Sequence, residues 1–239
     1  MPYESLKFEE LDVVDFHSHI LPAVDHGSPN IECSLAQLKL ASTYSVRRIM
    51  ATSHFYPNIH TLSSFLKIRN KAALDLKNAA PLGAPEFKLG AEVLICEGLE
   101  RFPDLDKLCF QNTKNIMLEL PFIDFSEEYA ITAGEIADMG YNVILAHADR
   151  YSKEIVEIML DYGVNTLQIN TDSLVSVFKK KHIYKWLELG LVSMLGSDIH
   201  GSKKKYYRKF SAAKKHISEF LLPIKKASDK IWEEIETIK

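Results

Sequence analysis

Short apolar runs alternate with helical segments along almost the whole chain, and this rhythm limits the folds open to it. The predicted strands are Leu11–Phe16, Arg48–Thr52, Phe87–Val93, Asn115–Leu120, Asn142–Ala146, Asn165–Ile169 and Leu191–Gly196. They favour Val, Ile, Leu and Met, as strands buried on both faces do. Between them, Asn30 is a predicted N-cap ahead of Ile31, Leu35 and Leu38 on one helical face. Glu127–Met139 and Lys153–Tyr162 read as helices stopped by Gly140 and Gly163, and Asn78–Pro85 reads as a turn. There is no repeat or low-complexity tract. Unbroken β–α alternation predicts one α/β domain over residues 1–239, either a barrel or a doubly wound sheet.

Composition narrows the function classes. The chain has 239 residues, 46% hydrophobic and 26% charged, with 29 Lys+Arg against 32 Asp+Glu and a net charge of −3. That is too apolar for disorder and too neutral for attachment to nucleic acid mainly by charge. Cys33, Cys96 and Cys109 are widely spaced, which argues against a disulfide scaffold. Acidic residues in MPYESLKFEE stand where an export signal needs an apolar core, and no apolar run reaches membrane-spanning length. The expectation is a cytoplasmic protein.

A barrel places its chemistry just past the carboxyl ends of the strands. Strand one ends in His17 and His19, and strand two in His54. The next two carry Glu92 and Glu119, the fifth ends in His147, the sixth in Asn170, and the last in Asp198 and His200. Six of the seven runs thus deliver a metal-competent side chain to one rim. Residues i and i+2 of an extended segment point the same way, so His17 and His19 can reach one cation, as can Asp198 and His200. Taken alone, an HxH pair is more often two solvated loop histidines. A carboxylate inside an apolar strand, as at Glu92 and Glu119, costs about 3–5 kcal/mol unless paired or metal-bound. A salt bridge would satisfy either one singly.

Asp25-His26-Gly27 offers a further ligand, His26, although a plain turn accounts for that tripeptide equally well. Arg150 suits a bidentate grip on phosphate or carboxylate. Phe55 and Tyr56 are candidates to pack on a substrate ring, or simply a hydrophobic rim. For the basic run after Gly201, a solvated helix start and a phosphate-binding role are about equally expected. Mixed His and carboxylate ligands point to Mn²⁺, Zn²⁺ or Fe, and their number implies two or three ions. Such a cluster activates water and neutralises charge on a phosphoryl group.

The segments DFHSHILPAVDHG, ATSHF, GAEV, LELPF, LAHADRY and LGSDIH resemble the PHP (polymerase and histidinol phosphatase) superfamily. More closely they are similar to bacterial tyrosine-protein phosphatases of the CpsB/CapC type. The likeness implies a distorted (β/α)7 barrel, PHP/TIM-like, with a site for three metals, usually manganese. It implies His17, His19, His54, Glu92, Glu119, His147, Asp198 and His200 as ligands, with Arg150 gripping the substrate phosphate. The implied substrate is phosphotyrosine on the tail of a tyrosine autokinase that controls capsular or exopolysaccharide synthesis, with only peripheral contact to that membrane kinase. A small-molecule phosphatase for a substrate like histidinol phosphate, a nuclease, or a phosphopeptide-binding protein with a weakened site are the alternatives.

Two positions depart from the family pattern. His26 stands where close relatives carry Asp, which removes a negative charge and favours zinc. The second phosphate-binding arginine is matched only by Lys205, with Arg208 just beyond, and lysine gives a point charge in place of a fork. Cysteine-based phosphatases separate Cys and Arg by five residues. Cys96 and Arg101 are separated by four.

Overall fold

The computed structural model describes residues 7–122, 124–176 and 181–235, so residues 1–6 of the segment weighed as an export signal lie outside it. Nine strands form one curled, all-parallel sheet: β1 (Asp15–Ser18), β2 (Arg48–Ala51), β3 (His54–Phe55), β4 (Glu86–Leu89), β5 (Glu92–Leu94), β6 (Asn115–Glu119), β7 (Asn142–Leu145), β8 (Thr166–Asn170) and β9 (Val192–Gly196). Their order is β3-β5-β6-β7-β8-β9-β1-β2-β4. The helices are α1 (Ile31–Thr43), α2 (Leu62–Ala79), α3 (Glu127–Asp138), α4 (Lys153–Asp161), α5 (Thr171–Leu174), α6 (Lys181–Glu188), α7 (Lys205–His216) and α8 (Ser218–Glu234).

Seven predicted runs become nine strands because two of them kink. The second breaks at Thr52-Ser53, and the third breaks at Gly90-Ala91. The ladder between them nevertheless continues. Gly90 N–H donates to the Ala51 carbonyl (2.9 Å) and Glu92 N–H to the Ser53 carbonyl (3.1 Å). The two ends of the sheet, β3 and β4, therefore belong to neighbouring runs, and the sheet curls into a distorted barrel of seven runs. The first strand also lies later than expected. It keeps its polar residues because Ser18 Oγ donates to the Met50 carbonyl (2.8 Å) and Thr52 N–H to the Ser18 carbonyl (2.9 Å). α2 extends through Ala79, which leaves residues 80–85 for the predicted turn.

The local helix signals act as their chemistry requires. Asn30 Oδ1 accepts from Cys33 N–H at 2.9 Å, and Ser126 and Ser152 cap α3 and α4 in the same manner. Gly140 and Gly163 follow with φ of +87° and +110°, a region that disfavours any residue with a Cβ.

Packing follows the period of two along each strand. Met50, Met117, Ile144 and Met194 join Phe16, Phe110 and Trp232 in an inner cluster. Their neighbours Ile49, Ala51, Ile116, Leu118, Val143, Leu145 and Leu195 face the helices in an outer one. Each fully buried side chain of this size contributes about 1.5–3 kcal/mol. α8 closes the base of the barrel with Trp232, and the Lys88 ammonium donates to the Trp232 and Ile235 carbonyls at 2.9 and 2.7 Å. Among the described residues no helix is long and apolar enough to cross a membrane.

One position ties this packing to the rim above. A Cβ on Gly196, the last residue of β9, would lie 2.5 Å from the His17 Cβ and 2.4 Å from the Gln168 amide nitrogen. Gly196→Ala is expected to lower the unfolding free energy by about 1–3 kcal/mol in urea titration. An unchanged midpoint would show that β8 and β9 do not pack this tightly.

Candidate metal centre

Strand ends and the turns after them supply every side chain at the rim. His17 lies in β1 with His19 just beyond, His54 opens β3, Glu92 opens β5 and Glu119 closes β6. His147 follows β7, and Asp198 and His200 follow β9. His147 and Asp198 take up left-handed backbone, with φ of +31° and +48°. A non-glycine residue there costs about 1–3 kcal/mol, a strain typical of functional positions.

Glu92 is the centre of the arrangement, with 1% of its surface exposed. Its Oε2 lies 3.1 Å from His17 Nε2, 3.2 Å from His19 Nε2 and 3.0 Å from His54 Nδ1. Its Oε1 lies 2.8 Å from His147 Nε2, which is also 3.4 Å from Glu119 Oε1. Asp198 Oδ1 stands 3.7 and 3.4 Å from the Nε2 atoms of His17 and His19. Three donor groups follow from these distances: His17, His19 and Glu92; His54, Glu92 and Glu119; and His19, His54 and His200.

The tautomers show what this set can hold. Gln168 Oε1 accepts from the His147 backbone N–H (2.7 Å), which fixes it as the oxygen; His17 Nδ1, 2.8 Å away, must therefore carry the proton. Asp25 Oδ2 likewise takes the proton of His19 Nδ1 at 2.8 Å. His200 Nδ1 donates to the Asp198 carbonyl at 3.1 Å. In their neutral forms all three rings thus present a bare Nε2 to the centre. His17 Nε2 and His19 Nε2 stand 3.2 Å apart, beside a carboxylate oxygen. Two ring lone pairs and an anionic oxygen at this separation repel one another unless a cation is shared among them. His54 Nδ1, Glu92 Oε2 and His200 Nε2 are buried without a hydrogen-bond partner. These residues fit divalent metal.

Protons answer the same demand where no metal is bound. Burial opposes charge on His147, but its hydrogen bonds to Glu119 and Glu92 outweigh that and raise its pKa to about 9. His17 and His19 are raised as well, against burial, by Glu92, Asp198 and Asp25. Burial would raise Glu92, yet the surrounding histidines hold it well below the usual carboxylate range. The cluster therefore concentrates demand for positive charge at one place. His200, by contrast, is lowered to about 4 by burial and by the neighbouring His19.

Outside the cluster, the rim opens into a cavity of about 340 Å³ lined by His26, His54, Tyr56, Glu92, Glu119, Phe122, Arg150, Asp198 and His200. A larger hollow, about 1000 Å³, lies beside α2 and carries Arg69, Lys107 and Lys114 in place of a His–carboxylate cluster. Chemistry and not volume therefore singles out the smaller one. The His26 ring sits 4.5 Å from that of His200 and 4.9 Å from that of His54. Arg150 pairs through Nη2 with Asp198 Oδ2 and lies over the Phe122 ring, 5.9 Å from its centroid.

Other sequence candidates fall elsewhere. Phe55 is fully buried against Phe65 and Phe102, so of the pair weighed for the substrate ring only Tyr56 reaches the cavity. Lys205 and Arg208 are exposed on the first turn of α7 and are not among the cavity's walls. Cys33 and Cys96 are half-buried, and burial pushes Cys109 up to about 12. None of these three lines the cavity.

The sequence reading named Asn170 at the rim and Asp25 in its turn, but missed how they, with Gln168 and Asp15, aim the cluster. Gln168 Nε2 donates to Asn170 Oδ1, and Asn170 Nδ2 donates to Asp198 Oδ2, each at 3.0 Å. β8 thus positions both His17 and Asp198. Asp25 holds His19 and, through its Oδ1, the Gly27 N–H at 2.8 Å. Asp15 accepts from Ser197 N–H (2.8 Å) and Oγ (2.6 Å), which locks the ends of β1 and β9 together. A polar amide inside the apolar run TLQIN was the available signal for Gln168. Gln168→Leu is expected to keep the fold and weaken metal affinity roughly 10–100-fold, read by calorimetric titration. Unaltered affinity would remove Gln168 from this role.

The comparisons with known proteins agree with this geometry. The family described as capsular polysaccharide synthesis, CpsB/CapC, matches residues 13–221. Tyrosine-protein phosphatase YwqE of Bacillus subtilis is 28% identical over 209 residues, covering 82% of this chain and 80% of its own. Tyrosine-protein phosphatase CpsB of Streptococcus agalactiae is 26% identical over 208 residues, 79% of this chain and 83% of its own. The crystal structures of YwqE and of CpsB from Streptococcus pneumoniae are described as unique metal-dependent tyrosine phosphatases. One matched chain from that work shares the fold, with a TM-score of 0.72 at 23% identity, across 94% of this chain and 96% of that one. With most of its length matched, the chain belongs to the CpsB/CapC family of capsular polysaccharide synthesis proteins.

Proposed function

We propose that this protein is a metal-dependent phosphomonoesterase that hydrolyses phosphotyrosine in protein. The carrying observation is the convergence of His17 Nε2, His19 Nε2 and Glu92 Oε2 within 3.2 Å of one another, under a cavity that also holds an arginine. The relatives named as tyrosine-protein phosphatases support the substrate class. His17, His19, Glu92 and Asp198 would hold one ion, and His54, Glu119, His147 and Glu92 a second. His200 and His26, with His19 and His54, face a third position. Mn²⁺ is the expected metal, with Zn²⁺ or Fe the other candidates for a thiolate-free set. When bound, such ions activate water and neutralise charge on a phosphoryl group.

The chain's own residues supply orientation. Arg150 already points into the cavity, and its planar fork matches two phosphoryl oxygens. Asp198 shares Arg150 and the two leading histidines, so it couples the phosphate grip to the ligand cluster. Tyr56, stacked 5.1 Å from the His54 ring, and Phe122, 72% exposed, form aromatic walls that suit a phenyl ester. Lys205 and Arg208, just past the rim, would meet the substrate outside the cavity. The expected setting is the cytoplasm, and the expected substrate is the phosphorylated tail of a tyrosine autokinase in polysaccharide synthesis.

Phosphate release from a phosphotyrosyl peptide is expected to stop with chelator, return with Mn²⁺ and resist thiol alkylation. Loss on alkylation with indifference to chelation would refute the reading, as would clear preference for histidinol phosphate. Arg150→Ala is expected to lower kcat/KM roughly 100-fold, measured by steady-state kinetics. His26→Asp should keep or raise Mn²⁺-dependent turnover, whereas unchanged metal content and rate in His26→Ala would leave His26 as a turn residue only.

A further inference from the structure

Seven cations and no carboxylate lie between Gly201 and Ser218, in a chain whose net charge is −3. They belong to α7 and the turn that leads into it from His200. Helix physics does not favour this arrangement. Lys204 and Arg208, like Lys205 and Lys209, are like charges four residues apart, which repel. Lys203, Lys204 and Lys205 also crowd the positive end of the helix dipole.

Other surface segments treat their lysines differently. Lys71 pairs with Asp75, Lys107 with Asp104, Lys153 with Glu157, Lys185 with Glu188 and Lys225 with Asp229, each within three or four residues. On α7, Lys209 reaches Asp172 and Lys214 is buried against the Leu11 carbonyl. Lys203, Lys204, Lys205, Arg208 and Lys215 are exposed and make no ion pair among the described residues.

Their placement is ordered. At about 100° per residue, Lys204, Arg208 and Lys215 fall within roughly 40° of one another on the helix. Small Ser211 is the residue between them on that line. The stripe begins four residues past His200, a wall of the cavity, and runs about 16 Å down the barrel flank towards Leu11, which precedes β1. α7 exposes no large apolar side chain, so the stripe lacks the wedge with which an interfacial helix enters a bilayer.

We propose that the Lys204–Arg208–Lys215 face of α7 docks an acidic polypeptide segment continuous with the phosphotyrosine held in the cavity. Charge complementarity and continuity with the cavity mouth select this partner. The inference rests on the phosphatase reading for the position of the phosphotyrosine, and it gives that reading a substrate preference. A tail carrying flanking carboxylates, or several phosphotyrosines, is captured along the flank while one ester is hydrolysed.

The test compares Mn²⁺-loaded wild type with the Lys204→Glu/Lys215→Glu variant, neither residue lying in the cavity. Substrates are free phosphotyrosine, a phosphotyrosyl peptide with acidic flanks and the same peptide with neutral flanks. For wild type, KM for the acidic peptide is expected to be roughly 10-fold below that for the neutral one at low salt, and the gap should close in high salt. In the variant the gap should shrink to about twofold or less, with turnover of free phosphotyrosine retained. Binding of a fluorescent acidic peptide without phosphotyrosine supplies a readout independent of catalysis. It should be lost in the variant even if no phosphotyrosine were hydrolysed, a failure that would strike the phosphatase reading alone. Equal KM ratios in the two proteins, or equal peptide binding, would overturn the docking face. Binding to phosphatidylserine vesicles that the variant loses, with peptide behaviour unchanged, would assign the stripe to a lipid surface instead.

Discussion

A single carboxylate, Glu92, sets the terms for the whole rim. With 1% of its surface exposed, it cannot rely on water to support its charge, and it faces four imidazoles. A buried charge stripped of its partners costs about 3–5 kcal/mol, so the barrel must deliver compensation at this point. It does so with imidazoles whose inward nitrogens offset the charge by sharing a proton or a metal cation with it. The same demand that makes Glu92 costly in an apolar core suits it to be shared among cations. The kink at Gly90-Ala91 is what places it here, because it starts a new strand, β5, with Glu92 as its first residue.

Around that centre, function depends on aim more than on composition. Gln168, Asp25 and the Asp198 carbonyl each hold one imidazole proton and so turn one nitrogen inward. Left-handed backbone at His147 and Asp198 turns the chain sharply as it leaves β7 and β9. Arg150 on the turn after β7 then shares Asp198 with the ligand cluster. Arg150 and the His–carboxylate cluster are thus mechanically one unit, with the apolar inner cluster and Trp232 as its floor.

Much of this was legible from residue order. Strand ends are legible because burial on both faces leaves apolar runs, and the first polar residue after each marks the rim. His17, His54 and His147 were placed at the rim in that way, and Glu92 and Glu119 as carboxylates inside otherwise apolar runs. The kinks at Thr52-Ser53 and Gly90-Ala91 were not, since an apolar run has the same composition whether or not its ladder is interrupted. Phe55 and Tyr56 could not be told apart because neighbouring strand residues face opposite sides, and one residue of register decides between core and cavity. Asp15 and Gln168 escaped because their role lies in hydrogen bonds to residues as much as 182 positions away, which no local pattern encodes.

The most direct test of this account is the metal stoichiometry of purified wild type and Glu92→Gln, measured by elemental analysis with circular dichroism as a check on folding. The account predicts at least two divalent ions per chain in wild type and fewer than one in the folded variant. Equal metal content in the two proteins would contradict it.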